Sequence, residues 1–277
     1  MGLPLADKLT HRKGSQMEQA SHARVHVAPS GGAVAGQRFE RKFFVLPRNI
    51  ELAYALLRQF CRLDSEYPKE QINSLYFDTE DLEQHVKSSS GELRKNKVRI
   101  RWYHTLDDYQ KEVPIFLELK SREGFASSKQ RQKLLIPMSH LEQKNLHRGI
   151  VPMTTLIDTM SGFGHYPEMP LHPIIVISYW RYRFTEILTG MRVTFDYNIR
   201  STIVKRSLGY GERELKLAGG VIEVKGHEVE LPVTLRRMSL LDIDWSRFSK
   251  YSYCLDSHLS EPGTMARLWP SGRIAEI

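Results

Sequence analysis

Basic residues spaced two positions apart recur along this chain and are its clearest candidates for chemistry. Arg99 and Arg101 form one such pair, and carboxylates join the pattern where Glu223 precedes Lys225. Guanidinium groups bind oxyanions through paired hydrogen bonds, whereas carboxylate oxygens are the ligands that divalent cations prefer. These residue types therefore favour an anionic ligand, with a metal ion held by the acidic residues.

The spacing of two is typical of β-strands, because successive strand residues point to opposite faces of a sheet. The charged residues of each run then share one face, and the apolar residues share the other. Seven runs show this alternation, at Arg38–Val45, Lys97–Trp102, Phe116–Lys120, Lys129–Leu134, Ile177–Phe184, Met191–Tyr197 and Val221–Lys225. A further strand is predicted at Ile72–Phe77.

Helical periodicity is clearest at Ile50–Leu63, where Leu52, Ala55, Leu56 and Phe60 follow one face. Shorter helices are predicted at Asp81–Val86, Ser139–Leu146, Met153–Met160 and Leu235–Ile243. Together these elements predict an α+β fold: an antiparallel β-barrel with its helices packed outside.

The charged faces have two interpretations. For one strand alone, a solvated outer face is the ordinary one, because antiparallel sheets commonly expose one face to water. Seven such strands favour a sheet that curls so that its charged face lines an interior. Uncompensated buried cations cost several kcal/mol each, so that interior must hold water and a polyanion. Glu40, Glu118 and Glu223 would then hold a divalent cation.

Composition limits the class of protein. The 277 residues carry 40 Lys and Arg against 32 Asp and Glu, for a net charge of +8 at pH 7. That surplus indicates an anionic partner without choosing among nucleic acid, a membrane surface and a small polyanion. The two cysteines, Cys61 and Cys254, have no metal-ligand spacing, which favours reduced thiols in the cytoplasm. No apolar run is long enough to span a membrane, and no signal-peptide core is present.

The chain divides into three predicted parts. Residues 1–36 read as a disordered tail rich in Ser, Gly, Ala, His and Gln. Residues 37–260 form one folded domain, and residues 261–277 form a C-terminal tail. No internal repeat is apparent.

An ordered series of motifs resembles the VTC domain, a polyphosphate polymerase domain of the triphosphate tunnel metalloenzyme (CYTH-like) superfamily. The resemblance covers about residues 37–255, and no single motif decides it. Its motifs are Arg38–Val45, Asn73–Thr79, Val98–Tyr103, Leu117–Lys120, Arg192–Asp196, Val221–Lys225 and Arg247–Tyr251. The implied fold is an antiparallel barrel whose tunnel is lined by basic and acidic residues, which agrees with the alternation.

The resemblance implies a role for each matched position. Tunnel cations that act in catalysis are Lys42, Arg99, Arg101, Lys120, Arg181, Arg192 and Lys250. Substrate-binding positions are Lys87, Lys129, Arg131, Tyr179, Lys225, Arg247 and Ser249, with Lys133 as an alternative to its strand neighbours. Glu223 resembles the metal-binding glutamate, which adds to the expectation for Glu118 and Glu40. The cofactor is Mn²⁺ or Mg²⁺.

The implied activity is transfer of the γ-phosphate of ATP to a growing polyphosphate chain, by a metal-dependent phosphotransferase. Its partners are ATP, orthophosphate and polyphosphate. No nucleic acid is expected, because no nucleic-acid-binding motif accompanies the basic residues. A membrane-associated partner and the oligomeric state stay open. One departure is Arg38, which stands where the wider superfamily has the first glutamate of an ExExK signature.

Two alternatives keep the same tunnel. One is a tripolyphosphatase or nucleoside triphosphatase, in which water is the acceptor. The other is a non-catalytic module that binds polyphosphate. Two single residues keep two interpretations: Asp196 is a metal ligand or an internal ion-pair partner, and Glu40 is a metal-side carboxylate or the partner of Lys42. Asp78 is a turn or cap residue, and Trp102, Trp180 and Trp245 are packing residues.

Overall fold

The computed structural model describes residues 39–103, 112–124, 126–208, 213–228, 230–241, 243 and 248–260. The predicted tails at 1–36 and 261–277 lie outside these residues, and so do Trp245 and Arg247. None of the described helices combines the length and the apolar character that crossing a membrane requires.

Ten antiparallel strands of the described residues form one sheet. They are β1 (Phe39–Val45), β2 (Cys61–Leu63), β3 (Lys69–Asp78), β4 (Arg94–Tyr103), β5 (Glu112–Glu123), β6 (Ala126–Pro137), β7 (His172–Glu186), β8 (Arg192–Ile203), β9 (Glu214–Lys216) and β10 (Gly220–Gly226). Their order is β1-β10-β8-β7-β3-β4-β5-β6, with β2 beside β7 and β9 beside β8. Each alternating run of the sequence supplies the body of one strand.

Six α-helices accompany the sheet in the described residues. They are α1 (Ile50–Phe60), α2 (Glu83–Ser89), α3 (Gln143–Leu146), α4 (Met153–Gly162), α5 (Val233–Arg236) and α6 (Lys250–Leu259). Single 3₁₀ turns cover Pro47–Asn49, Met138–Leu141, Arg206–Leu208 and Arg237–Leu241.

The helix predictions needed four corrections. The prediction Ile50–Leu63 is too long, because Cys61 is already extended (φ −133°) and β2 pairs with β7. The helix expected at Asp81–Val86 is α2 and begins later, since Asp78 accepts hydrogen bonds from the backbone N–H groups of its first turn. The two helices expected around residues 139–146 and 235–243 are each split into a 3₁₀ turn and a four-residue helix.

The outer face of the sheet is apolar and carries most of the helices. Under α3 and α4 lies one buried cluster, which includes Ile100, Leu117 and Trp102. A second cluster, with Val193 and Ile222, lies under α1 and α5. Burying these rows against amphipathic helices supplies the hydrophobic stabilisation that a wet inner face cannot give.

The sixth helix lies on the other face, which corrects the expectation that every helix packs outside. α6 packs with Phe44 and Val221, which lie two residues from Lys42 and Glu223 along their strands and therefore share the charged face. Tyr251 of α6 is fully buried there. The charged face is therefore apolar at one end, where α6 covers it, and charged beyond it.

Closure of the sheet into a barrel is not established by strand pairing. The order ends at β1 and β6, and these two strands do not pair with each other in the described residues. The sheet nevertheless curls strongly, because Lys120 Nζ of β5 lies 3.3 Å from Glu40 Oε2 of β1, six places away in the strand order.

Candidate active site

The strand register gathers the predicted site residues on one face of the sheet. Directly opposed residues of antiparallel strands share a face. Glu223 is opposite Lys42, and Arg99 is opposite Glu118. Along the sheet this face carries two sets of charged residues, which differ in their balance of charge.

The first set, called here the Glu118 group, lies on β4, β5 and β6. Its members are Lys97, Arg99, Arg101, Glu118, Lys120, Lys129 and Arg131. Glu118 is fully buried and pairs with Arg99 Nη2 at 2.7 Å, Lys129 Nζ at 2.6 Å and Arg131 Nε at 3.5 Å. Burial would raise the pKa of Glu118, but the charges of Arg99, Arg101 and Lys129 lower it to about 2. The carboxylate therefore stays ionised.

Arg101 has only neutral hydrogen-bond partners among the described contacts. Its Nε donates to Ser74 Oγ at 3.3 Å, and its Nη2 donates to Tyr179 Oη at 3.2 Å. Arg101 is 7% exposed. Since its charge is not paired directly with a carboxylate there, it retains capacity for an anion.

Lys97 is a second cation without a carboxylate partner in the described contacts. Its Nζ donates to Ser249 Oγ at 2.7 Å and to Ser88 Oγ at 2.9 Å. Burial, and then the positive charges of Lys42 and Lys120, lower the pKa of Lys97 to about 7. An ammonium held among other cations needs an anion to be stable in its charged form.

The other two lysines of the Glu118 group show the same tendency. Burial lowers the pKa of Lys120 to about 8, although the charge of Glu40 opposes this shift. Burial also lowers the pKa of Lys129 to about 8 against the opposing charge of Glu118. The single buried carboxylate of Glu118 does not compensate the charge of all the cations that surround it.

The second set, called here the Glu223 group, lies on β1, β7, β8, β10 and α6. Its members are Glu40, Lys42, Arg181, Asp196, Glu223, Lys225 and Lys250. Lys42 Nζ lies 3.2 Å from Glu40 Oε1 and 3.7 Å from Glu223 Oε1, and Lys225 Nζ lies 3.2 Å from Glu223 Oε2. Burial would lower the pKa of Lys42, but the neighbouring carboxylates raise it. Burial would likewise raise the pKa of Glu223, but the neighbouring cations lower it.

Asp196 is an ion-pair partner, the second of its two predicted interpretations. It is fully buried, and Arg181 binds it with two hydrogen bonds, from Nε at 2.6 Å and Nη2 at 2.7 Å. Lys250 Nζ lies 2.5 Å from Asp196 Oδ2. With both oxygens engaged by cations, Asp196 keeps two buried positive charges in place.

The start of α6 lies against both groups. Ser249 caps the helix by accepting a hydrogen bond from the N–H of Ser252, and it also accepts from Lys97. The next residue, Lys250, pairs with Asp196, while Lys42 Nζ donates to the carbonyl oxygen of Phe248 at 3.2 Å. The charged side chains thus hold this helix end on the sheet.

Most of the predicted residues converge, and a few do not. Tyr179, only 3% exposed, lies between the groups, with Lys250 Nζ 5.0 Å from its ring centroid. Arg192 is on the same face opposite Lys225, but it is exposed. Lys87 lies on α2 and pairs with Glu83 of its own helix. Lys133 is exposed on β6, so Lys129 and Arg131 are the β6 residues that reach Glu118.

Lys97 was missed as a site residue. The signal was present, because Lys97 precedes Arg99 by two positions in the same alternating run and so shares its face. Its contact with Ser249, 152 residues away in sequence, could not be read from that pattern.

The three predicted metal ligands do not form one cluster. No group of three or more His, Cys, Asp or Glu side chains suited to a metal occurs in the described residues. Glu118 has its own cations, whereas Glu40 and Glu223 share Lys42. Thr194 Oγ1, opposite Glu223 on β8, is buried without a hydrogen-bond partner. Two carboxylates with substrate phosphate oxygens are an ordinary donor set for Mg²⁺ or Mn²⁺, so Glu40 and Glu223 fit such an ion.

Two other expectations are confirmed. Asp78 is a buried cap residue: Oδ1 accepts from the N–H of Gln84, and Oδ2 accepts from His85 N–H and the Tyr251 hydroxyl. Trp102 is a packing residue of the outer cluster under α4.

Comparison with known proteins identifies the family. The sequence profile of the VTC domain matches residues 37–258. No curated protein gives a significant match. Among solved structures, a Bacillus halodurans protein proposed to be an adenylate cyclase has 18% identity and a TM-score of 0.47, covering 77% of this chain and 95% of that chain. A Hippeastrum protein, proposed to be an adenylyl cyclase and described with a dominant triphosphatase activity, has 16% identity and a TM-score of 0.43, covering 79% and 95%.

The profile match spans the sheet, both charged groups and nearly all of α6. This chain belongs to the VTC domain family.

Proposed function

We propose that this protein is a metal-dependent polyphosphate polymerase that transfers the γ-phosphate of ATP to a growing polyphosphate chain. Membership of the VTC domain family supports a function in handling phosphoryl groups. The observation that carries the proposal is the cation excess of the Glu118 group, where Arg101 and Lys97 have no carboxylate partner among the described contacts.

A linear polyphosphate matches this excess better than a single phosphate does. Arg99 and Arg101 lie two residues apart on β4, about 7 Å along the strand, and both can donate to successive phosphates. Lys120 and Lys129 extend the cations across β5 and β6. The curled sheet would enclose the chain in a tunnel, with the Glu40–Lys120 contact supporting closure.

The proposed chemistry needs no nucleophilic side chain. A terminal oxygen of orthophosphate or of the polyphosphate chain attacks the γ-phosphorus of ATP. The bond from that phosphorus to the β-bridging oxygen breaks, and ADP leaves with the electron pair. The protein aligns the two phosphates and compensates the charge on their oxygens, which is most of what phosphoryl transfer requires.

The metal ion belongs to the Glu223 group in this proposal. Glu40 and Glu223 would hold Mn²⁺ or Mg²⁺, which neutralises charge on phosphate oxygens. Lys42 and Lys225 now compensate these carboxylates and would move to the phosphates when the ion is bound. Arg181 and Lys250 stay on Asp196 and keep α6 in position.

The test is synthesis from ATP. Full-length protein with ATP, orthophosphate and Mn²⁺ is expected to form polyphosphate and ADP, and chelation is expected to stop it. Glu223→Gln should abolish synthesis, whereas the matched variant Glu123→Gln, at an exposed ion pair on the end of β5, should retain it. Orthophosphate release without chain growth would establish a hydrolase, and polyphosphate binding with intact ATP would establish a binding module.

Partners and location follow from the same proposal. ATP, orthophosphate and polyphosphate are the partners, and nucleic acid is not one. The two free cysteines, Cys61 and Cys254, are both buried, which suits a reducing cytoplasm. A single-stranded RNA that fails to compete with polyphosphate would support this choice of partner.

A further inference from the structure

Two aromatic side chains on the charged face have no role in the polyphosphate site described above. Tyr103, at the end of β4, and Phe116, on β5, are both only partly buried. Phe116 belongs to none of the apolar clusters of the described residues, although it is a large apolar side chain. Tyr103 packs against the cluster that contains its cross-strand neighbour Ile72. Tyr76 of the same face differs, because it stacks on Tyr251 with ring centroids 5.0 Å apart.

The two rings form a platform with a guanidinium group. The centroids of Tyr103 and Phe116 are 5.7 Å apart, with their planes at 71°. The guanidinium carbon of Arg131 lies 3.4 Å from the centroid of the Phe116 ring, and its side chain is 39% exposed. Aromatic faces and guanidinium planes are the surfaces on which proteins stack nucleobases.

The platform is at one end of the line of cations. Phe116 is directly opposite Arg101, and Tyr103 lies two residues beyond Arg101 on the same strand. Lys97, whose side chain contacts the N-cap residue Ser249 of α6, is six residues from Tyr103, or about 20 Å along β4. A nucleotide whose base lies on the platform would therefore extend its phosphates over Arg101 and Arg99, toward α6.

We propose that Tyr103, Phe116 and Arg131 form the subsite for the nucleobase of a nucleoside triphosphate. This inference rests on the proposed use of ATP. Stacking accepts any base because every base has a π-face, so the subsite separates nucleotides from inorganic polyphosphate rather than one base from another. It would raise the affinity for the phosphoryl donor above the affinity for a chain with the same number of phosphates.

The experiment compares ATP with inorganic tripolyphosphate as ligands of the full-length protein, by calorimetric titration. The wild type should bind ATP more tightly than tripolyphosphate. Phe116→Leu removes the ring but keeps an apolar side chain, and it should weaken ATP binding about 10-fold, as expected for the loss of one stacked base. Tripolyphosphate binding should change less than about 2-fold, since its contacts are electrostatic.

The matched control is Phe60→Leu. Phe60, on the outer helix α1, is also partly buried and also lies near a guanidinium, with the Arg237 carbon 5.5 Å from its ring centroid. This variant should leave both affinities unchanged. Thermal unfolding of each variant separates a folding defect from a loss of affinity, and Tyr103→Leu gives a second reading of the same subsite.

Equal losses for ATP and tripolyphosphate in Phe116→Leu, or no loss for ATP, would overturn the inference. So would a wild type that binds tripolyphosphate as tightly as ATP. The proposed function has a separate outcome: ATP binding with the expected selectivity but no polyphosphate synthesis would remove the polymerase and keep the subsite. Polyphosphate synthesis by the wild type, together with equal losses of ATP and tripolyphosphate affinity in Phe116→Leu, would keep the polymerase and remove the subsite.

Discussion

The Glu118 group and the Glu223 group lie on the same sheet face, yet they shift lysine pKa values in opposite directions. In the Glu223 group, the pKa of Lys42 is raised because the charges of Glu223 and Glu40 outweigh the effect of burial. The pKa of Lys250 is raised because the charges of Asp196 and Glu223 do the same. In the Glu118 group, burial among other cations lowers the pKa of Lys97 to about 7.

The difference comes from the number of carboxylates. Within the Glu223 group, Glu40, Asp196 and Glu223 are close to its cations. Within the Glu118 group, Glu118 is the single carboxylate among the members named above. The Glu223 group is therefore a largely neutralised network, in which Asp196 holds Arg181 and Lys250 in place. The Glu118 group is an electropositive surface that a polyanion would stabilise.

We expect the greatest loss of stability when the carboxylate of Asp196 is removed from the Glu223 group. Asp196→Asn removes the carboxylate that Arg181 and Lys250 contact most closely and leaves them only Glu223, 3.8 Å from each. The free energy of unfolding should therefore fall by about 3–5 kcal/mol. Chemical denaturation of full-length protein measures this loss. A loss below about 1 kcal/mol would mean that the Glu223 group is not a structural network.

Arg101→Met tests the electropositive group. Removing a buried cation whose partners are neutral should weaken polyphosphate binding about 30-fold, close to 2 kcal/mol, while stability changes little. Titration with a polyphosphate of defined length gives the affinity, and denaturation gives the stability. If Arg101→Met lost as much stability as Asp196→Asn, the Glu118 group would be a structural network like the Glu223 group rather than a binding surface.

The affinity of the Glu118 group for polyphosphate should depend on pH because of Lys97. Its pKa is about 7 in the free protein, and a bound polyanion should raise it, so binding takes up protons and affinity falls as pH rises from about 7 to 9. Lys97→Met should lower affinity about 10-fold at pH 7 and reduce this proton uptake. Binding enthalpies measured in buffers of different ionisation enthalpy report the uptake.

Lys97 should also make the free energy of unfolding depend on pH. The pKa of Lys97 is depressed in the folded state, so the unfolded chain binds more protons and the unfolding free energy rises with pH between about 7 and 10. Lys97→Met should flatten that rise and should not destabilise the protein at pH 7. An unchanged slope would contradict the low pKa.

The smallest effect is expected outside both groups. Arg94 lies at the start of β4 in an exposed pair with Glu123, where its side chain is 83% exposed. Arg94→Met removes the same charge as Arg101→Met but should change polyphosphate affinity less than about 2-fold, since exposed pairs contribute little. A loss like that of Arg101→Met would assign binding to net charge rather than to the inner face.

Local pattern predicted much of this molecule. The alternation in Lys97–Trp102 and Val221–Lys225 located strands β4 and β10 and told which side chains share a face. Asp78 was predicted to be a turn or cap residue from its place in the sequence Tyr-Phe-Asp-Thr, and it accepts hydrogen bonds at the start of α2. Cys61–Leu63 and α6 were not predicted as they are, because each depends on a partner far away in the chain: β7 for the first, and the apolar end of the inner face for the second.

For the site, the order of residues is enough to tell which side chains are charged and which face of its strand each one occupies, because a period of two needs no information beyond the strand. How those charges pair depends on the folded chain. The curl of the sheet brings Glu40 to Lys120, and the position of α6 brings Lys250 to Asp196 and Ser249 to Lys97. Coulombic interaction depends on distance and burial, both of which are set by the folded chain.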